Sequence, residues 1–92
     1  MSVKEVTPRV AVGRVIGSNI RRLREEAGIN QKELSAMCMA EGMAWTPARV
    51  SNAERSHVPL NAVHELISLR DLFSRLLDRQ VTLDEFVREL GR

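Results

Sequence analysis

Gly28, Asn30, Gly42 and the pair Thr46-Pro47 cut the first half of the chain into short helical segments with defined ends, and this punctuation constrains the fold more than any other feature. Ile16, Ile20, Leu23 and Ala27 recur at helical spacing and predict helix one over about 14–27. Gly28 then stops it in the left-handed conformation that glycine adopts without a Cβ penalty. Asn30 with Glu33 three residues on is a variant capping box, which satisfies two free N–H groups reciprocally. Helix two follows over 31–40, with Leu34, Met37 and Cys38 on its inner stripe, and Gly42 ends it. Thr46 is the next N-cap, and Pro47 sits at the first helical position, where its missing N–H costs nothing. Trp45 before the cap and Val50 at the fourth helical position are placed as a hydrophobic staple, which sets the angle at which the chain enters the helix. Helix three, over 47–55, is short, and only Val50 and Ala53 are expected inside.

His57-Val58-Pro59 reads as a turn. Helix four is expected from about Asn61 to Asp78, carrying Val63, Leu66, Ile67, Leu69, Phe73, Leu76 and Leu77. Thr82 with Glu85 makes a full capping box for helix five, whose apolar stripe is Leu83, Phe86, Val87 and Leu90. At the other end, Thr7-Pro8 can open a helix, but Gly13 and Gly17 weaken any long helix running from there. Residues 1–11 are therefore expected as a loosely ordered arm, and residues 12–92 as one all-α domain of five helices. With Trp45, Phe73 and Phe86 as the only aromatics, the core must be aliphatic, which favours helices over a β-sandwich.

Charge adds little by its total, +2, and more by its distribution. Residues 1–57 hold nine Lys/Arg against six Asp/Glu, a net of +3, and residues 58–92 hold five against six. The basic part includes Arg14, Arg21, Arg22, Arg24, Arg49 and Arg55, an excess that can steer a protein toward phosphates and that an ordinary solvated surface also carries. On helix one, Arg21, Arg22, Glu25 and Glu26 are expected on the outer face, and Glu25-Glu26 and Asp84-Glu85 as solvated or capping groups. Cys38, the lone cysteine, lies in an apolar helical stretch and is expected as a core residue. His57 and His64 have no Cys, Asp or Ser partner at a recognisable catalytic or metal-ligand spacing, so neither an enzyme nor a cofactor or metal site is expected. No apolar run reaches the length of a membrane span and no signal-peptide core is visible, so a cytoplasmic protein is expected.

The runs IRRLREEAGINQKELS (Ile20 to Ser35) and WTPARVSNAERS (Trp45 to Ser56) resemble the Cro/C1-type, or XRE, family of helix-turn-helix repressors. The specific elements are Ile-x-x-Leu-Arg, Gly-Ile-Asn-Gln-x-Glu-Leu and Val-Ser-x-x-Glu-Arg, and the resemblance covers about 14–90. It implies a five-helix lambda-repressor-like domain that binds double-stranded DNA, with helix three in the major groove and helix two across the backbone above it. Ala48, Arg49, Ser51 and Asn52 are then the base-contacting candidates: Arg bonds guanine O6 and N7 in a bidentate way, and Asn does the same with adenine. Arg49 as a phosphate contact or a solvated charge and Asn52 as an intrahelical partner remain the alternatives. Gln31, Thr46, Arg55, His57 and Asn61 are the phosphate-contact candidates. Arg24 and Glu54 are implied as a structural pair joining helix one to the end of helix three.

The sequence departs from the family at two points. The stretch between helices two and three, around 39–45, is several residues longer than usual, so that either helix two is extended or the turn is a larger loop. Ser56 stands where the family usually has Gly after Glu-Arg. A homodimer through the apolar C-terminal helices is expected, with a surface for another protein, as in an antitoxin or adaptor, and the core of the monomer itself as the alternatives. No small-molecule effector pocket is expected.

Overall fold

The computed structural model describes residues 8–55 and 63–88, with side chains from residue 13 onward. The elements are α1 Pro8–Glu26, α2 Gln31–Ala40, α3 Pro47–Glu54, α4 Val63–Leu77 and α5 Asp84–Val87, and no strand occurs among the described residues. α1 packs against α3 and α5, α2 packs against α3, and α4 lies against both α1 and α2. The shared core takes Ile16, Ile20 and Leu23 from α1, Leu34 and Cys38 from α2, Val50 and Ala53 from α3, and Leu69, Leu72 and Phe73 from α4, closed by Met43, Trp45, Val81 and Phe86. Cys38 is fully buried as expected, and burial pushes its thiol up to about 11, so it is neutral at physiological pH.

The local signals at the ends of the middle helices are realised. Gly28 has φ +73° just after α1. The Asn30 side chain accepts from Glu33 N at 2.7 Å, and the Glu33 carboxylate accepts from Asn30 N at 2.8 Å. α2 spans the expected residues, and α3 stops one residue short, with Arg55 as its C-cap.

Several expectations are corrected. α1 begins at Pro8 rather than near Arg14 and runs straight through both glycines. The reason at Gly17 is packing: a Cβ there would meet the Ala53 carbonyl oxygen far inside van der Waals contact and the Glu54 carbonyl oxygen at 2.9 Å. The helix-propensity cost of glycine is thus offset by the backbone of α1 touching the end of α3. The capping box at Thr82 is only half made. Thr82 N donates to Glu85 at 3.3 Å, but Leu83 holds the N-cap position in a helical conformation with no side-chain cap. α5 is accordingly a single turn that buries Phe86 and leaves Leu83 and Val87 exposed; Leu90 lies outside the described residues. Finally, Glu85 is not solvated. Its carboxylate is nearly buried and accepts from Arg79 Nη1 at 3.0 Å, with Arg22 at 3.6 Å, and Arg79 also bonds Glu26 on α1. Arg22 thereby belongs to an α1–α5 junction rather than to an outer face.

Asn19 completes that junction. Fully buried, its side-chain amide donates to the carbonyls of Phe86 at 3.1 Å and Arg88 at 2.7 Å, tying the C-terminal turn to α1. Arg79's hydrogen bond, aided by the Thr82 N–H, holds the Glu85 carboxyl below its ordinary value. A carboxyl whose pKa is lower folded than unfolded contributes stability that is complete above the unfolded value, about 4.3, and is lost as pH falls through the folded one. Glu85→Gln should therefore lower the melting temperature at neutral pH and flatten its decline below about pH 4.3. Parallel acid melting curves for the two proteins would remove this assignment.

Candidate nucleic-acid interface

The stretch ahead of α3 is a loop, not an extension of α2. The helix ends at Ala40, and Gly42 with φ +87° lets Met43 N return to the Cys38 carbonyl at 3.0 Å. Met43 and Trp45 then plunge into the core, and the buried Ser35 hydroxyl donates to the Trp45 carbonyl at 2.7 Å. The additional residues are thus anchored twice before the chain turns into α3. Thr46, extended at ψ 166°, accepts from Arg49 N through its hydroxyl at 3.2 Å, and Pro47 follows at the first helical position. Trp45 and Val50, on either side of that cap, are both in the core, as a staple requires.

With Val50 and Ala53 facing inward, α3 leaves its other side open. Pro47, Ala48 and Asn52 are exposed, and Ser51 and Arg49 are half-exposed. Small and polar groups on a short helix that is fixed at both ends can be laid against an opposing polar surface at close range. The fixing at the C-terminal end is ionic. Arg24 Nε donates to Glu54 Oε2 at 2.6 Å and Nη2 to Oε1 at 3.1 Å, a bidentate pair in which the side chains are 12% and 4% exposed. Arg24 also donates to the Ile29 carbonyl at 2.9 Å, and Gln31 Nε2 donates to Glu54 Oε1 at 3.0 Å. The ends of α1, α2 and α3 meet at one carboxylate. The Glu54 hydrogen bond holds the Arg24 guanidinium above even its ordinary high pKa, so it is charged at any working pH.

The fixing at the N-terminal end passes through α4. Trp45 Nε1 donates to Glu65 Oε2 at 2.6 Å, and Arg49 Nη2 donates to Glu65 Oε1 at 3.2 Å. The Arg49 guanidinium carbon lies 5.5 Å from the Trp45 ring centroid, within cation–π range. Arg49 is therefore a restrained side chain rather than a freely waving one.

The sequence-derived candidates fall into distinct groups. Ala48, Arg49, Ser51 and Asn52 share the open side of α3, and Asn52 makes no side-chain hydrogen bond among the described residues. Thr46 is exposed but its hydroxyl oxygen is already used as a cap. Gln31 stands at the start of α2 with one N–H committed to Glu54, leaving the second amide hydrogen and the carbonyl oxygen. Arg55 is exposed and has no ion pair among the described residues. His57 and Asn61 lie outside the described residues. Sequence reasoning missed Glu65 and Ser35. An acidic residue in the first turn of a helix is ordinarily explained by the helix dipole, and nothing in the sequence ties it to Arg49. Among the described residues no group of His, Cys, Asp and Glu is arranged to hold a metal ion, and no helix is long and apolar enough to cross a membrane. No protein-family model, curated protein or solved structure matches the chain.

Proposed function

We propose that the chain is a sequence-specific double-stranded-DNA-binding transcriptional regulator of the Cro/C1 type, a cytoplasmic repressor with a five-helix lambda-repressor-like fold and no catalytic activity. The observation that carries this reading is the open side of α3. Ala48, Arg49, Ser51 and Asn52 point away from a core that takes only Val50 and Ala53, on a helix locked at one end by Arg24–Glu54 and at the other by Trp45 and Glu65. In this reading α3 enters the major groove, Arg49 and Asn52 read base edges, and Gln31, Thr46 and Arg55 contact phosphates.

Selection from random duplexes, with a salt titration of the winner, tests it. A preferred site should emerge, and log affinity should fall linearly with log salt. Arg49→Ala and Asn52→Ala should each cost about 1–3 kcal/mol and relax preference at one base pair, whereas Gln31→Ala should weaken all sequences alike. If selection enriches no site, the reading fails.

A second reading has its own support. Val63 and Ile67 on α4 and Leu83 and Val87 near α5 are exposed, with Val63 and Val87 more than half so. Such residues suit an antitoxin or adaptor that binds another protein; within the first reading they suit a homodimer through the C-terminal helices that places two copies of α3 on a two-fold-related DNA site. Light scattering on the free protein separates a dimer from a monomer, and a monomer that selects no DNA favours the adaptor.

A further inference from the structure

Resting on the DNA-reading role of α3, we infer that Glu65, a residue of α4 outside the reading helix, positions Arg49 and thereby sets discrimination at the base pair Arg49 reads. The two oxygens of its carboxylate are divided between two partners, Trp45 Nε1 at 2.6 Å and Arg49 Nη2 at 3.2 Å. The indole bond fixes the carboxylate, because Trp45 is a fully buried side chain of the core. The carboxylate then fixes one terminal nitrogen of the guanidinium, and the Trp45 ring lies 5.5 Å from its carbon. Arg49 is held from two directions, by a half-buried carboxylate and by the ring of a buried tryptophan.

A guanidinium has five N–H donors, and Glu65 takes one. Nη1, Nε and the second hydrogen of Nη2 remain, enough for a two-point contact with an acceptor pair such as guanine O6 and N7. The restraint matters because a free arginine must give up its rotamer freedom on binding, a cost that a side chain already held in place largely avoids. It also matters for selectivity. A mobile arginine satisfies itself on any nearby phosphate, whereas a tethered one has a limited reach and is left unpaired opposite the wrong base. Glu65 lowers the net positive charge near the groove at the same time, so it weakens the sequence-independent attraction while sharpening the sequence-dependent one.

The experiment measures binding to the selected duplex and to variants of each base pair, for wild type, Glu65→Gln, Arg49→Ala and the double variant, with melting curves for all four. Glu65→Gln retains an acceptor for the Trp45 indole and loses the charge that holds Arg49. Discrimination at the Arg49 base pair should fall about 2–10-fold, the equivalent of re-ordering one long side chain. Preferences at other positions should persist, and binding to unrelated DNA should tighten. The double variant should discriminate no worse than Arg49→Ala alone, because Glu65 acts through Arg49. A purely structural role would instead lower the melting temperature and affect all positions together. If Glu65→Gln does not fold, Glu65→Asp keeps the charge and leaves the Trp45 side chain in the core, but its carboxylate is one methylene too short to hold both partners, and it should give the same localised loss. Unchanged or increased discrimination in the folded variant overturns the inference and leaves DNA reading intact. Failure of wild type to select any site removes both.

Discussion

Glu54→Ala should cost about 3–5 kcal/mol, the range found when one partner of a buried ion pair is deleted and the other is left uncompensated. The Glu54 carboxylate accepts two bonds from Arg24 and one from Gln31, and both charged side chains are largely removed from solvent. Alanine would leave a guanidinium that cannot lose its proton facing a void, with one bond to the Ile29 carbonyl remaining. Against a total stability of about 5–15 kcal/mol for a domain of this kind, that is a large share. At about 4–8 °C per kcal/mol, the melting temperature should drop by more than about 10 °C. The comparison is Glu25→Ala. Its pair with Arg21 is a single contact at 3.2 Å in which both side chains are more than half exposed, and the melting temperature should hardly move. Replacing Arg24 and Glu54 together by methionines should recover much of the loss, since the cost lies in the orphaned charge rather than in the missing pair. A melting temperature for Glu54→Ala equal to that of wild type would mean that the junction of α1, α2 and α3 does not depend on this carboxylate.

What could be read in the sequence is what is decided within a few residues. The caps at Asn30 and Thr46, the stop at Gly28 and the inward stripes of α2 and α3 depend on neighbours three or four positions away, and each is found where it was expected. Arg24–Glu54, distant in sequence, came from the resemblance and is present in the structure. What was hidden is what depends on a partner far along the chain. Asn19 looks like an ordinary polar helix residue until the carbonyls of Phe86 and Arg88 arrive to occupy its amide. Glu85 looks like the third residue of a capping box, but Arg79 and Arg22 compete for the same carboxylate and draw it into the α1–α5 junction. Met43, in a stretch with no periodicity, proves to be one of two anchors of the loop before α3. The open side of α3 was legible because its inward residues were few; the restraint on Arg49 was not, because Glu65 sits on another helix.

Gly17 is the sharpest case, because propensity and packing predict opposite signs for the same substitution. At an exposed helical site, Gly17→Ala should stabilise the protein by about 0.4–1 kcal/mol, chiefly by restricting the unfolded chain. Here the new methyl group points at backbone, not at a side chain that can swing away. The carbonyl oxygens of Ala53 and Glu54 lie within clashing distance, and they belong to the last turn of α3, which Glu54 itself pins to Arg24. Relief requires α1 and α3 to separate, at a cost typical of overpacking, about 1–3 kcal/mol net of any propensity gain. A larger residue such as valine should exceed that and threaten folding. Under the proposed DNA-binding function the separation has a second consequence. α3 cannot move away from α1 without changing the angle its open side presents, so, on that proposal, the Gly17→Ala protein should lose affinity for the selected duplex at temperatures where it is still fully folded. Both effects are measured on one sample, by melting and by binding at low temperature. A melting temperature at or above that of wild type would mean that α1 and α3 are not in backbone contact at this crossing.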